Sequence, residues 1–290
     1  DSKHTQFKVS QVISTYVTAI VAGPYQYVKD EYKGEKTIPL GIYARKSFFQ
    51  YVDAANIFEI TKQGFAYFEK TFGLAYPFGK YDQLAVAEYN WGAMENVGCV
   101  TFHEDVLIFR SKVTESKHLG RASTILHEMA HMWFGDLVTM KWWEDLWLNE
   151  SFAEWASYMA TSEATKYTHA WTEFNALRKN WAYRQDQLSS THPIAVAMED
   201  LEAVRTNFDG ISYAKGASVL QQLVEHVGRQ NFIDALRIYF TKHAYKNTTL
   251  NDLMVELEAT SGRDLKPWAK TWLKTAGVNT LRPQITVTDG

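Results

Sequence analysis

Two histidines and a glutamate sit inside an otherwise apolar stretch, TILHEMAHMWFGDLV, running from Thr124 to Val138. His127 and His131 are four residues apart. On a helix this puts both imidazoles on one face, with Cβ atoms about 5–6 Å apart, and two neutral ring nitrogens so placed can bind one zinc ion. Glu128 neighbours His127 on the helix surface and can reach a water at the metal without being a ligand. This is the H-E-x-x-H arrangement, two ligands and a general base in little more than one turn. A third protein ligand is required, and Glu150 in LWLNESFAEW is the candidate, with eighteen residues between it and His131, at the start of another predicted helix. Three protein ligands leave one position open, the catalytic rather than the structural pattern. On this reading zinc brings the pKa of water down to about 7, and Glu128 takes its proton and passes it to a leaving amine. The competing readings are a chance match on a surface helix and, for Glu150, an ordinary first-turn glutamate favoured by the helix dipole.

Elements must hold these residues. Ile125, Leu126, Met129 and Met132 supply the packing face of the histidine-bearing helix. Upstream, IPLGIYA, QLAVAEY and GCVTF read as strands, with a helix from about Val52 to Phe72 between the first two. Residues 1–37 alternate in short bursts (FKVSQV, TYVTAIVAG) broken at Gly23-Pro24, which predicts strands without a sheet of their own. Beyond about Arg121 the apolar period becomes helical and stays so to about Thr275, as in SVLQQLVEHV and FIDALRIYFTKHA, with Gly135, Gly228 and Gly262 as helix stops. The final LRPQITVTDG turns strand-like again. The pattern is a mixed strand-and-helix lobe followed by a helical lobe.

The chain has 290 residues, 46% apolar and 22% charged, with a net charge of −3. This provides for a sizeable core and leaves no basic footprint for nucleic acid or an anionic membrane. No apolar run approaches the roughly 18 residues of a membrane span. The lone cysteine, Cys99, excludes an intrachain disulfide, which makes a reducing compartment, and so the cytoplasm, the expected location. The first residue is not Met and DSKHTQFKVS has no signal-peptide core, so the chain reads as a piece excised from a longer protein.

Three motifs now stand together: GAMEN (Gly92 to Asn96), HEMAHMWFGDLV and LWLNESFAEW. A fourth, FDGISYAKGASVL, surrounds Tyr213, and THPI covers Thr191 to Ile194. In this order, over roughly residues 38–275, they resemble the gluzincin aminopeptidases, the family of aminopeptidase N, puromycin-sensitive aminopeptidase and leukotriene hydrolase. The resemblance implies an α+β, thermolysin-like zinc peptidase catalytic domain over 38–275. It makes 1–37 the remnant of a preceding β domain and 276–290 a linker or the start of a following one. It implies one zinc on His127, His131 and Glu150, Glu128 as base, and Tyr213 as donor to the oxyanion. Glu95 would capture the α-ammonium of a peptide with a free N-terminus, and Gly92, Ala93, Met94 and Asn96 would line its backbone in the manner of strand addition.

Some positions depart from the family pattern. Ser151 stands where the family usually has Gly. Many relatives carry a carboxylate two turns beyond the zinc glutamate to steady a histidine ligand; that position is Ser157 here, while Glu154 lies on the same helix face one turn on and is expected to take over that task. Relatives are also longer, and their β domain usually adds a second polar group, often Gln, to the amine site. The reading is a zinc aminopeptidase catalytic domain. The alternatives are a zinc-binding piece that is incompetent without its missing domains, and a zinc endopeptidase, which GAMEN argues against. The cluster Trp133, Trp142, Trp143 and Trp147 is expected to be core packing.

Overall fold

The computed structural model describes residues 4–288. Five strands form one mixed sheet: β1 (Tyr25–Lys33), β2 (Thr37–Arg45), β3 (Tyr81–Val86), β4 (Ala93–Met94) and β5 (Cys99–His103). Their spatial order is β1-β2-β3-β5-β4. The central β2–β3 and β3–β5 pairs are parallel, while β1–β2 and β4–β5 are antiparallel. The helix Ala54–Phe72 makes the crossover between parallel β2 and β3, as a parallel connection requires. Asp53 caps its start by accepting from the Asn56 amide, and Gly73 ends it in the left-handed conformation.

The strands read from IPLGIYA and GCVTF are present. QLAVAEY is a strand only to Val86, after which the chain turns, with Glu88 at φ 51°. FKVSQV and TYVTAIVAG are not strands. The segment has one short 3₁₀ turn, Thr15–Val17, and its apolar residues Val9, Val12 and Ile20 are exposed, so their alternation has no sheet to face. Strand pairing begins at Tyr25, where β1 joins β2 through Tyr25↔Arg45 to Lys33↔Thr37. The boundary drawn at residue 38 therefore falls at a hairpin of one sheet. LRPQITVTDG is not a strand in its described part, up to residue 288, and Leu281, Ile285 and Val287 are exposed; its last two residues lie outside the described residues.

The helical lobe opens at Glu115, slightly earlier than expected. Two helices dominate it: the histidine helix, Glu115–His131, and the glutamate helix, Leu146–Ala164. Thr114 caps the first through the Lys117 amide. Ile125, Leu126, Met129 and Met132 are fully buried, as their spacing predicts. The glutamate helix is buried on every side from Leu146 to Thr161, so it runs through the middle of the molecule rather than over its surface. The helix Gly216–Val227 packs against it, Arg229–His243 reaches it through Phe232 on Trp155 and Phe240 on Phe152, and Leu250–Ser261 packs in turn on Arg229–His243. Gly228 and Gly262 follow helix ends as expected; Gly135 lies beyond the last turn of the histidine helix instead. A two-stranded parallel pair, Val138–Met140 with Lys246–Thr248, was not apparent in the sequence. One continuous hydrophobic core extends from Ile38 to Leu273, joining the sheet lobe to the helical lobe. Trp133 and Trp147 belong to it, Trp143 is partly buried, and Trp142 is half exposed. No helix among the described residues is long and apolar enough to cross a membrane.

Candidate metal centre and cleft

The histidine and glutamate helices pack side by side, which brings three donors together. His127 Nε2 lies 3.1 Å from His131 Nε2 and 3.2 Å from Glu150 Oε2, and His131 Nε2 lies 3.5 Å from the same oxygen. A tetrahedral ion with ligand distances of about 2.0–2.1 Å has ligand–ligand edges √(8/3) times longer, about 3.3–3.4 Å. The observed triangle matches that size, and all three side chains are buried. The donor set therefore fits a zinc ion.

The far ring nitrogens are also engaged. His131 Nδ1 lies 3.2 Å from the Phe134 carbonyl, to which it can donate. His127 Nδ1 lies 3.4 Å from Glu154 Oε2. Both contacts favour the tautomer that leaves Nε2 free for a metal. Glu154 is itself clamped by Arg178, whose Nε donates to Oε1 and whose Nη2 donates to Oε2 at 3.2 Å. Ser157 does not hydrogen-bond a histidine among the described residues; its hydroxyl donates back to the Glu154 carbonyl.

The charges respond as this packing requires. Burial works against the charged form of His127, but hydrogen bonds to Glu150 and Glu154 outweigh it and push the imidazole up to about 9. Burial opposes ionisation of Glu150 as well, yet the two histidines hold it well below the usual carboxylate range. Glu154 is lowered to about 2, because Arg178 and His127 override its burial. Glu128 goes the other way: burial, only partly countered by His127 and His131, raises it to about 8.

A cleft of about 660 Å³ opens over these residues, lined by Gly92, Ala93, Met94, Glu95, Glu128 and Tyr213 among others. Ligand atoms of Glu95, Glu128 and His131 all lie within 4.8 Å of one another. Glu95 is 4% exposed, so it is not the solvated loop residue its sequence position alone suggests. Ala93 and Met94 form the edge strand β4, paired with β5 on one side only. The Gly92 carbonyl is taken by the His103 amide at 2.8 Å. Asn96, expected among the substrate contacts, does not line the cleft. Its side chain turns inward, accepting from Thr101 Oγ1 at 2.8 Å and donating to the Val17 carbonyl at 3.5 Å.

Tyr213 stands across the cleft. Its ring lies nearly parallel to that of His127, with centroids 6.0 Å apart. Burial, with the carboxylates of Glu150, Glu95 and Glu128, holds its phenol well above the ordinary value, so it remains a donor. It sits in a π-helical turn, Ile211–Lys215, a geometry concentrated at functional sites. Asp209 anchors that turn by accepting from the Ile211 and Ser212 amides, both at 2.9 Å. His192, from the THPI segment, and Gln185 hold Asp209 Oδ2 at 2.7 and 2.8 Å. From the glutamate helix, Ser151 donates to the Ser212 carbonyl at 2.6 Å. Gly216 makes room for that hydroxyl, because a Cβ there would overlap it.

Several members of this constellation carried no individual signal in the sequence. Arg178 comes from a helical stretch unrelated to any motif, Tyr16 from the irregular N-terminal segment, and Asp209 from within FDG. Asn149 lay in a quoted motif without a role. Its amide lies within 3.5 Å of Glu95 Oε1 and the Tyr16 oxygen, and it packs on Gly135, whose φ is +136° and whose Cβ, if present, would come within 2.7 Å of Asn149 Oδ1.

Comparison with known proteins agrees with this geometry. The model of the Peptidase family M1 domain matches residues 57–272. The chain is 56% identical to "Aminopeptidase N" of Streptomyces lividans over 283 residues, covering 97% of this chain and 33% of that protein. It is 36% identical to "Tricorn protease-interacting factor F2" of Thermoplasma volcanium over 282 residues, 97% of this chain and 35% of the relative. It is likewise 36% identical to "Aminopeptidase 2, mitochondrial" of Saccharomyces cerevisiae over 276 residues, 95% and 28%. The chain thus spans about a third of the length of the curated relatives it matches. With three quarters of its length matched to that family and its motifs gathered in one cleft, the chain belongs to peptidase family M1, the gluzincin aminopeptidases.

Proposed function

We propose that the chain is the catalytic domain of a zinc aminopeptidase that hydrolyses the first peptide bond of peptides with a free N-terminus. The observation that carries this reading is the triangle of His127, His131 and Glu150 donors at tetrahedral spacing, with Glu128, Glu95 and Tyr213 facing the same cleft. Zinc held there supplies a Lewis acid that acidifies water and polarises a carbonyl. Glu128, which faces the cleft beside His131, accepts the proton of the attacking water and returns it to the leaving amine. Tyr213 donates its phenolic hydrogen to the oxyanion as it develops. Glu95 pairs with the substrate's α-ammonium, and the unpaired edge of β4 receives its backbone as an added strand. A buried carboxylate at the end of the binding edge suits an exopeptidase, which measures one residue from a charged terminus. An endopeptidase would have to run its chain through that point. The supporting unit is proposed as residues 38–275 together with β1, with the flanking segments belonging to neighbouring domains.

The test compares aminoacyl-anilides with their N-acetylated forms, alongside metal analysis of protein never exposed to chelator. The expected result is one zinc per chain and cleavage of the free-amine substrate only, lost in Glu128→Gln and strongly reduced in Glu95→Ala. Equal cleavage of the blocked substrate overturns the aminopeptidase reading, and absence of zinc overturns the metal site. Tyr213→Phe is expected to lower kcat by roughly 100- to 1,000-fold with little change in KM, the usual loss for a single oxyanion donor.

A further inference from the structure

The turn Thr15–Val17 belongs to none of the zinc motifs, yet it docks on the loop carrying Glu95. The Val97 amide donates to the Val17 carbonyl at 3.1 Å, and Asn96 Nδ2 reaches the same oxygen at 3.5 Å. Val17 is buried as a result. This docking fixes Tyr16, whose ring packs edge-on against Trp143 with centroids 5.3 Å apart. Its phenol donates to Glu95 Oε1 at 3.2 Å. Asn149 Nδ2 lies 3.5 Å from both the Tyr16 oxygen and Glu95 Oε1. A phenol and an amide from separate parts of the chain thus converge on one oxygen of a buried carboxylate, and Tyr16 also lines the cleft.

An α-ammonium has three donors. A carboxylate whose Oε1 already accepts from Tyr16 and Asn149 leaves Oε2 to receive the ammonium and does not satisfy all three donors by itself, whereas the phenolic oxygen, after donating its hydrogen, keeps lone pairs that accept. Because both protein donors meet the same Glu95 oxygen, they also restrict the carboxylate's rotation and leave Oε2 for the substrate.

We infer that Tyr16, held by Asn149, is a specificity-determining residue of the amine site, orienting the Glu95 carboxylate and offering its phenolic oxygen to the substrate's α-ammonium. This rests on the aminopeptidase reading. It differs from a packing role for Tyr16, which would affect ligands with and without an amine alike.

The experiment separates the two by binding rather than turnover. Calorimetry on the zinc-loaded chain measures Kd for leucine hydroxamate and for 4-methylpentanohydroxamate, the same molecule without its amine. Their ratio is the advantage conferred by the amine. In the unsubstituted chain it is expected to exceed 10-fold, and Glu95→Ala is expected to abolish it. Tyr16→Phe, which keeps the ring on Trp143, is expected to cut the advantage about 10-fold, as loss of a hydrogen bond to a charged group does, while Kd for the deaminated compound moves less than 2-fold. An undiminished advantage in Tyr16→Phe overturns the inference, as does an equal weakening of both compounds. No advantage in the unsubstituted chain refutes the aminopeptidase reading beneath it.

Discussion

Replacing Glu154 by Gln removes a charge from behind His127, the proposed metal ligand, while keeping the side chain's size. Its Oε2 is 3.4 Å from His127 Nδ1. At an effective dielectric constant of about 20, a full unit charge at that distance is worth at most ~5 kcal/mol to a positively polarised imidazole. Arg178 holds both oxygens of the same carboxylate and cancels much of that field. What remains should fall in the range of about 1.4–2.7 kcal/mol, a 10- to 100-fold loss of zinc affinity, which is the usual cost of removing a carboxylate behind a histidine ligand. Glu154→Ala removes the contact as well as the charge and leaves Arg178 without its partner, so it should lose at least as much affinity and some stability besides. The assay is competition for zinc against a chelator of known affinity, with denaturant unfolding of the metal-free proteins in parallel. Zinc affinity unchanged within 2-fold in both variants would refute the reasoning, because it would mean the Glu154 contact does not reach the metal site.

Two further outcomes follow from the turn that carries Tyr213. Gly216→Ala should destabilise the chain by about 1–3 kcal/mol through overpacking against Ser151, and Ser151→Gly should recover part of that loss in the double variant. Chemical denaturation of the four proteins measures the coupling, and strictly additive costs would contradict the close approach. His192 faces Asp209 and the Pro193 carbonyl, with Lys215 nearby; its burial opposes charge, but Asp209 and the carbonyl raise its pKa above 6.5 nonetheless. Because the folded-state value is the higher one, the stability it contributes is fully present below about pH 6.5 and is lost as pH rises through the raised value. Thermal melts at pH 6 and pH 8.5 should therefore show a stability difference, on the order of 1 kcal/mol, that shrinks in His192→Gln; an unchanged difference would remove His192 as its source.

The legible and illegible parts of the site differ in a physical way. His127, Glu128 and His131 lie within one helical turn and a half, where spacing alone determines who shares a face. The packing residues Ile125, Leu126, Met129 and Met132 follow from the same periodicity. Glu150 needed only the further step that two packed helices bring it alongside. Glu154 was readable because it repeats one turn later on the same face. Arg178, Tyr16 and Asp209 were not individually readable, since each acts through a contact spanning 24 residues or more or through a turn whose shape no period encodes. For Tyr16 the separation from Glu95 is 79 residues. The strands expected in FKVSQV and TYVTAIVAG failed for the opposite reason: local alternation was present, but no sheet lay opposite it. β1 was placed among fragments of another domain because its outward face is polar and exposed, which hides its pairing with β2. Ser151, read only as a departure from the family pattern, proved to be matched by a departure in space, the Gly216 backbone pressed against it.

The carboxylates of this cleft bear on its chemistry in a way that their positions alone do not. Glu128, Glu150 and Glu154 are all buried, and burial pushes each toward the neutral acid. What distinguishes them is the partner each one meets. Glu150 faces two imidazoles and is drawn well below its ordinary range, which suits a group that must remain an anion to hold a cation. Glu154 meets Arg178 and His127 and falls to about 2, so it keeps its charge behind the histidine over the whole neutral range. Glu128 is raised, because its burial is only partly offset by the two imidazoles. Environments that push like groups apart in pKa are how one set of side chains divides acid–base work from charge support. Here the division runs along the geometry: the two lowered carboxylates belong to the buried helix at the back of the cleft, and the raised one projects from the facing helix toward Glu95 and the space where a substrate amine would lie.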